Sequence, residues 1–333
     1  MEEKSTPSRA VENAGAALKM VLEAQPGETL LLVTHESTLN IGEVFAIAGL
    51  RLGMIVKMVT LLEVNRPYEE IPQEVKGALS TFRPEVTLNI LDKSAEETPF
   101  RIELIKTETS FETRLGHIPG ATMHLLTTGP LALSEVEYQD MQANARRLQQ
   151  ILSSASVIQV ITRLGTEIQL SVSGREWVSD VKITKKHWGN LPCGELFIAP
   201  KENSLNGVLA VDGAIGDFGV PPKVLYMHVK DGVIRRVECA DQGFLDEVRS
   251  FLAHDELAMT VGELGIGFNP KADPRSPNML DAEKAAGTVH IAFGNNIDFG
   301  GRNKSETHRD FLILDPTLQA DGKTLMRSGR LLL

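Results

Sequence analysis

Residues 29–34, TLLLVT, are apolar almost throughout. That pattern fits a strand buried on both faces, as in a parallel sheet. A helix candidate follows from Asn40 to Leu52, with Thr38 or Asn40 as its N-cap and Gly53 after its end. IVKMVTLL then reads as a second strand, Pro72 to Thr81 as a short helix and Val86 to Leu91 as a third strand. Strand, helix, strand, helix, strand is the order of an open α/β layer with a mostly parallel sheet. An amphipathic helix from about Pro7 to Ala24 precedes it, and a long helix from Ser134 to Ser153 follows. Between them, ATMHLL reads as a further strand, and the stretch before it is open to either reading.

The second half changes character. VIQVITR, EIQLSVSG, VLAVDG, VLYMHVKDGVIRRVECA and AGTVHIAFG are short alternating strands, and turns such as Asp231-Gly232 mark hairpins. One helix, Gly243 to Ala253, interrupts them, and DGKT marks a last hairpin. The expected organisation is an α/β N-terminal domain, residues 1–154, covering the site, followed by a β-rich α+β metal-binding domain, residues 155–333.

The chemistry concentrates between Gly287 and Pro316. In TVHIAF, His290 and Ala292 share one strand face. In THRDFLIL, His308 and Asp310 stand two residues apart, so imidazole and carboxylate point the same way. The loop between these runs is rich in Gly and Asn, which lets backbone approach a ligand closely. Two strand-borne histidines with a carboxylate suit Zn, Fe, Co or Mn. The alternative is an exposed HRD turn and a core histidine. Glu195 and Glu263 each follow a glycine at the start of an apolar run. A carboxylate entering such a run must be paired, protonated or metal-bound if buried. Otherwise it is a solvated strand-edge group.

The net charge of −10 argues against a nucleic-acid partner, which requires a basic footprint. Two cysteines exclude a disulfide framework. The sequence has no apolar run long enough to span a bilayer, and its polar start is unlike a signal peptide, so a cytoplasmic location is expected.

NLPCGELFIAP, GELGIGFNPKA, GTVHIAFG and HRDF, in that order, resemble the C-terminal half of the aminopeptidase T and aminopeptidase S family of metallopeptidases. The blocks span about Asn190 to Leu314. The resemblance implies a dinuclear site with Glu195, Glu263, His290, His308 and Asp310 as ligands. It also implies a homodimer. Two departures stand out. Family peptidases are longer, and they carry a tyrosine soon after the third-block histidine, where this chain has Ile297 and Phe299. The same superfamily includes a dihydroxypyridine ring-cleaving dioxygenase that holds one iron with His, His and Asp. In that enzyme a histidine replaces the second-block carboxylate, whereas this chain keeps Glu263.

The expected function is therefore a metal-dependent aminopeptidase or related hydrolase acting on small peptides or amides. Two divalent ions, Zn, Co or Mn, would activate water, with Glu195 or Glu263 as general base. Asp298, Arg302 and Asn303 in the Gly-rich loop would contact substrate. The alternative is a mononuclear Fe(II) ring-cleaving dioxygenase acting on a hydroxypyridine-like substrate, with His290, His308 and one carboxylate as a facial triad. A third reading is a metal-stabilised binding protein without catalysis. His35, just past the first strand, lies where open α/β sheets bind ligands, though a loop-capping role fits equally. Arg114, His117, His124 and His187 are weaker candidates, and Cys193 reads as a packing residue.

Overall fold

Four apolar runs with intervening helices build the first unit of the computed structural model, which describes residues 8–216 and 218–333. Helix α1 (Ser8–Met20) leads into β1 (Thr29–His35), α2 (Leu39–Arg51), β2 (Ile55–Leu61), α3 (Gln73–Phe82), β3 (Val86–Leu91), α4 (Thr98–Thr109), β4 (Arg114–Pro119) and α5 (Met123–Thr127). Pro7 and the polar residues before it lie outside the described residues. The strands pair in parallel in the order β2-β1-β3-β4, and a two-residue strand, Gly189–Asn190, extends the edge beside β4. Every residue of β3 is buried, including the polar Thr87 and Asn89, as in a parallel strand at the centre of a sheet.

ATMHLL does not form the expected strand. Gly120, at φ 68°, ends β4, and the chain turns into α5. Helical geometry buries the adjacent Leu125 and Leu126 together, whereas a strand would send them to opposite faces. The fourth strand is RLGHIP, just upstream, in the stretch that the sequence left open.

The chain separates into two compact units, residues 1–140 with 182–193, and residues 141–181 with 194–333. The division falls inside the long helix α6 (Glu135–Leu152), not at residue 154, and a later segment returns to the first unit.

The second unit holds two antiparallel sheets. With the two-residue strands included in the numbering, its strands are β5 (Val157–Ile161), β6 (Glu167–Ser171), β7 (Val178–Ser179), β9 (Glu195–Ile198), β10 (Asn206–Val211), β11 (Leu225–Lys230) and β12 (Val233–Glu238). They continue with β13 (Val261–Gly267), β14 (Val289–Gly294), β15 (His308–Ile313), β16 (Thr317–Ala320), β17 (Lys323–Arg327) and β18 (Arg330–Leu331); β8 is the Gly189–Asn190 strand. The larger sheet runs β12-β11-β10-β6-β5-β16-β17-β18 and the smaller β15-β14-β13-β9-β7. Helix α7 (Gln242–Leu252) buries Phe244, Leu245, Val248 and Leu252, and Asp241 caps it by accepting from the Phe244 amide. A short helix, α8 (Met279–Ala282), packs Met279 and Ala282 against Ala214 and Leu312. The small sheet carries the site.

Candidate metal centre

Antiparallel register places one set of polar side chains on a single face of the small sheet. Glu195 pairs with Gly267, and Gly265 pairs with His290. Glu263 pairs with Ala292 after a bulge in β13, Ala292 pairs with Asp310, and Gly294 pairs with His308. Directly paired residues share a face, so all five residues named from the sequence point to the same side. Small residues lie between them. A Cβ on Gly265 would sit 2.0 Å from His290 Nε2, so the absence of a side chain there is what admits the imidazole.

The donor atoms fall into two groups that share Glu263. Glu195, Glu263 and His290 form one, Glu263, His308 and Asp310 the other, each with three ligand atoms within 4.8 Å of one another. His290 Nε2 lies 3.2 Å from Glu263 Oε1 and 3.4 Å from Glu195 Oε2. His308 Nε2 lies 3.3 Å from Glu263 Oε2 and 3.4 Å from Asp310 Oδ1. His308 Nδ1 is 2.8 Å from the Asn295 carbonyl, to which it donates, and its Nε2 faces the Glu263 and Asp310 carboxylates. A ring nitrogen fixed in this way is the usual support of a metal-ligating histidine. His290 is fully buried, whereas the His308 side chain keeps 31% of its surface exposed, so the second group is open to small molecules.

The electrostatics follow from crowding unlike charges out of water. Burial pulls His290 down, but its bond to Glu263 and the nearby Glu195 and Asp310 outweigh this and push its pKa up to about 9. Burial likewise opposes the charge on His308, yet Asp310 and Glu263 hold its pKa well above the ordinary imidazole value. Burial raises Glu263 too, but the two imidazoles override it and leave its carboxyl below the usual range. Glu195 moves the other way: burial dominates and holds its pKa well above the ordinary value, despite Lys284.

Three residues that sequence reasoning missed complete the cluster. Lys284, 1% exposed, contacts the Glu195 carboxylate and lies 3.2 Å from Asp180 Oδ2 and 2.8 Å from Glu283 Oε1. Asp180 Oδ1 in turn accepts from the Gly194 and Glu195 amides at 2.9 and 2.7 Å. The only hint in the sequence is a lysine among alanines, in DAEKAAG. On the same face, Phe197 and Phe299 meet edge to face at 5.5 Å, and Phe299 meets the His308 ring at 5.8 Å.

The three loop residues named as substrate contacts have different placements. Asp298 is exposed in a 3₁₀ turn, Ile297–Phe299. Arg302 donates its backbone N–H to Glu202, with its side chain exposed. Asn303 is buried, and its amide donates to the Leu257, Thr260 and Gly294 carbonyls, so it shapes the loop. His35, Arg114, His117, His124, His187 and Cys193 all belong to the first unit. His35 there accepts from the Asp92 amide and stacks on Tyr68, and His124 bonds Thr128. Among the described residues, no helix is long and apolar enough to cross a membrane.

An α/β unit followed by a β-rich unit with a shared-carboxylate donor cluster defines a two-unit fold with a candidate metal site on its small antiparallel sheet. The family model for NicX, 2,5-dihydroxypyridine 5,6-dioxygenase, matches residues 18–333, and the chain belongs to that family. It is 23% identical over 233 residues to the 2,5-dihydroxypyridine 5,6-dioxygenase of Pseudomonas putida KT2440. That match covers 62% of this chain and 65% of the relative, so slightly under two thirds of the relative's length is spanned. The solved 2,5-dihydroxypyridine dioxygenase from the same organism superposes with a TM-score of 0.74 at 16% identity, covering 97% of this chain and 96% of that one. Wild-type AmpT from Thermus thermophilus gives 0.69 at 17% identity, covering 98% and 99%; at such identities both similarities show the fold alone. The family match overturns the expectation of a hydrolase, and with it aminopeptidase, metallopeptidase and protease. Glu263 had favoured the peptidase ligand set, but a single residue type weighs less than a family match over residues 18–333.

Proposed function

We propose that this chain is a metal-dependent ring-cleaving dioxygenase acting on a dihydroxylated pyridine-like substrate, with one Fe(II) ion held by Glu263, His308 and Asp310. The observation that carries the metal assignment is His308, whose Nδ1 donates to Asn295 O while its Nε2 faces the Glu263 and Asp310 carboxylates on the accessible side. The reaction class comes from the family match over residues 18–333.

Bound Fe(II) supplies the one-electron and O₂ chemistry that side chains lack. The chain's own residues do the rest. Glu263 and Asp310 supply negative charge, and a donor set of two carboxylates and one imidazole suits Fe(II) or Mn(II). Phe197 and Phe299, both half-buried on this face, offer apolar surface for a flat ring and keep water from it. His290 holds a proton at Nε2 between Glu263 and Glu195. This set departs from the His, His and Asp expected of the dioxygenase, because Glu263 stands where a histidine would.

The test is anaerobic loading with Fe²⁺ followed by O₂ uptake with 2,5-dihydroxypyridine. The expected result is O₂ consumed in step with loss of the ring absorbance, with Asp310→Asn and His308→Ala losing both metal and turnover. No uptake with Fe²⁺ or Mn²⁺ would sink the reading.

A further inference from the structure

The two donor groups share Glu263, yet their surroundings differ. His308 has its second ring nitrogen tied to a carbonyl, but among the described residues His290 Nδ1 is buried without a hydrogen-bond partner. A metal-ligating histidine nearly always donates from its other nitrogen, which fixes the lone pair toward the ion. Without that acceptor, His290 is better satisfied with Nε2 as a donor, between the Glu263 and Glu195 oxygens. The first group also already contains a cation. Lys284 Nζ has three N–H bonds and faces three carboxylates, those of Glu195, Asp180 and Glu283. Those acids come from β9, the segment after β7 and the residue following α8, so their convergence is a product of the fold.

We infer that the Lys284 ammonium takes the place of a second metal ion beside Glu195, leaving His290 as a hydrogen-bond donor that positions Glu263. The inference rests on the reading above for the ion at Glu263, His308 and Asp310, and it adds what keeps the other half of the cluster free of one. The ammonium occupies the space beside Glu195 and repels a divalent ion from the first group. Removing it leaves Asp180, Glu195 and Glu283 facing one another in a buried site with His290 close by, an oxygen-rich set that suits Mn²⁺.

The experiment dialyses the full-length protein against Mn²⁺ and counts bound ions by elemental analysis, with thermal unfolding measured in parallel. The wild type is expected to hold one ion per chain and Lys284→Met two. Lys284→Met combined with Glu195→Gln should return to one. Mn²⁺ should raise the melting temperature of Lys284→Met more than that of the wild type, since an ion that binds only the folded state stabilises it. Two ions in the wild type, or a folded Lys284→Met with no more ions than the wild type, would overturn the inference. So would a Lys284→Met that stays unfolded even with Mn²⁺. An Asp310→Asn arm keeps the two readings apart. If that variant retains its ion, the proposed Fe(II) centre falls, while a gain of one ion in Lys284→Met still supports the role of Lys284.

Discussion

Gly265 shows how closely the site depends on single residues. It lies opposite His290, and a Cβ there would meet the ring at 2.0 Å. Because His290 is fully buried among packed strands, Gly265→Ala must displace the ring or part β13 from β14. Overpacking of this kind costs about 1–3 kcal/mol, and we expect urea unfolding to show it. An unshifted midpoint would mean that the ring has free space to move. Glu263 invites the opposite experiment. Glu263→His replaces a hard oxygen donor by an imidazole, so the ratio of Mn²⁺ to Fe²⁺ affinity should fall about tenfold, read by competitive metal binding. An unchanged ratio would place Glu263 outside the coordination sphere. The convergence of Glu195, Glu263, His290, His308 and Asp310 on one sheet face was legible because strand periodicity and motif order both point at them. Lys284 was not, since a lysine near a helix end ordinarily reads as solvated. Its partners Asp180 and Glu195 lie about a hundred residues away, and only the folded sheet brings them together.

At the scale of elements, the Gly- and Asn-rich connection from β14 to β15 is held in shape. Arg175 donates to the Gly300 carbonyl and pairs with Glu202, which also accepts the Arg302 amide. Within the loop, Asn296 and Asn303 bond each other's backbone, and Gly301 has no Cβ because Asn296 fills that space. Phe299 sits inside this frame against Phe197 and His308. Glu202→Ala removes two contacts at once, but the group is partly exposed, so the expected loss of stability is only about 1 kcal/mol. The clearer readout is local: amide exchange across residues 300–303 should speed up, and affinity for the proposed dihydroxypyridine-like substrate should weaken. Exchange at the wild-type rate would show that Asn296 and Asn303 suffice. The glycines and asparagines marked this loop in the sequence. Its rigidity was illegible, because Arg175 and Glu202 belong to other segments. ATMHLL failed for a related reason: a short apolar run does not distinguish strand from helix, and the left-handed turn at Gly120 decides it.

For the whole molecule, the order of elements was enough to give the α/β-then-β architecture. The reaction was harder to read: the four motif blocks resembled a peptidase family, whereas the family match over residues 18–333 is to a dioxygenase. Glu108 illustrates what remains hidden at this scale. In IELIKTET it looks like one more helix carboxylate, yet the fold buries it completely against Asn89, whose Nδ2 donates to it at 2.6 Å. Burial pushes its pKa up to about 8, with the Asn89 bond acting in the opposite direction. The folded pKa therefore exceeds the unfolded value, so the folded state holds a proton that the unfolded chain releases. Its contribution is fully present below the unfolded pKa of about 4.5, declines as pH rises, and is lost above about 8. Glu108→Gln keeps a neutral partner for Asn89 and has no proton to lose. We expect the variant to match the wild type near pH 4.5 and to exceed it by roughly 4 kcal/mol near pH 8, measured by urea unfolding across that range. Parallel pH profiles for the two proteins would show that Glu108 ionises in the folded state without penalty, through water reaching the Asn89 side of α4.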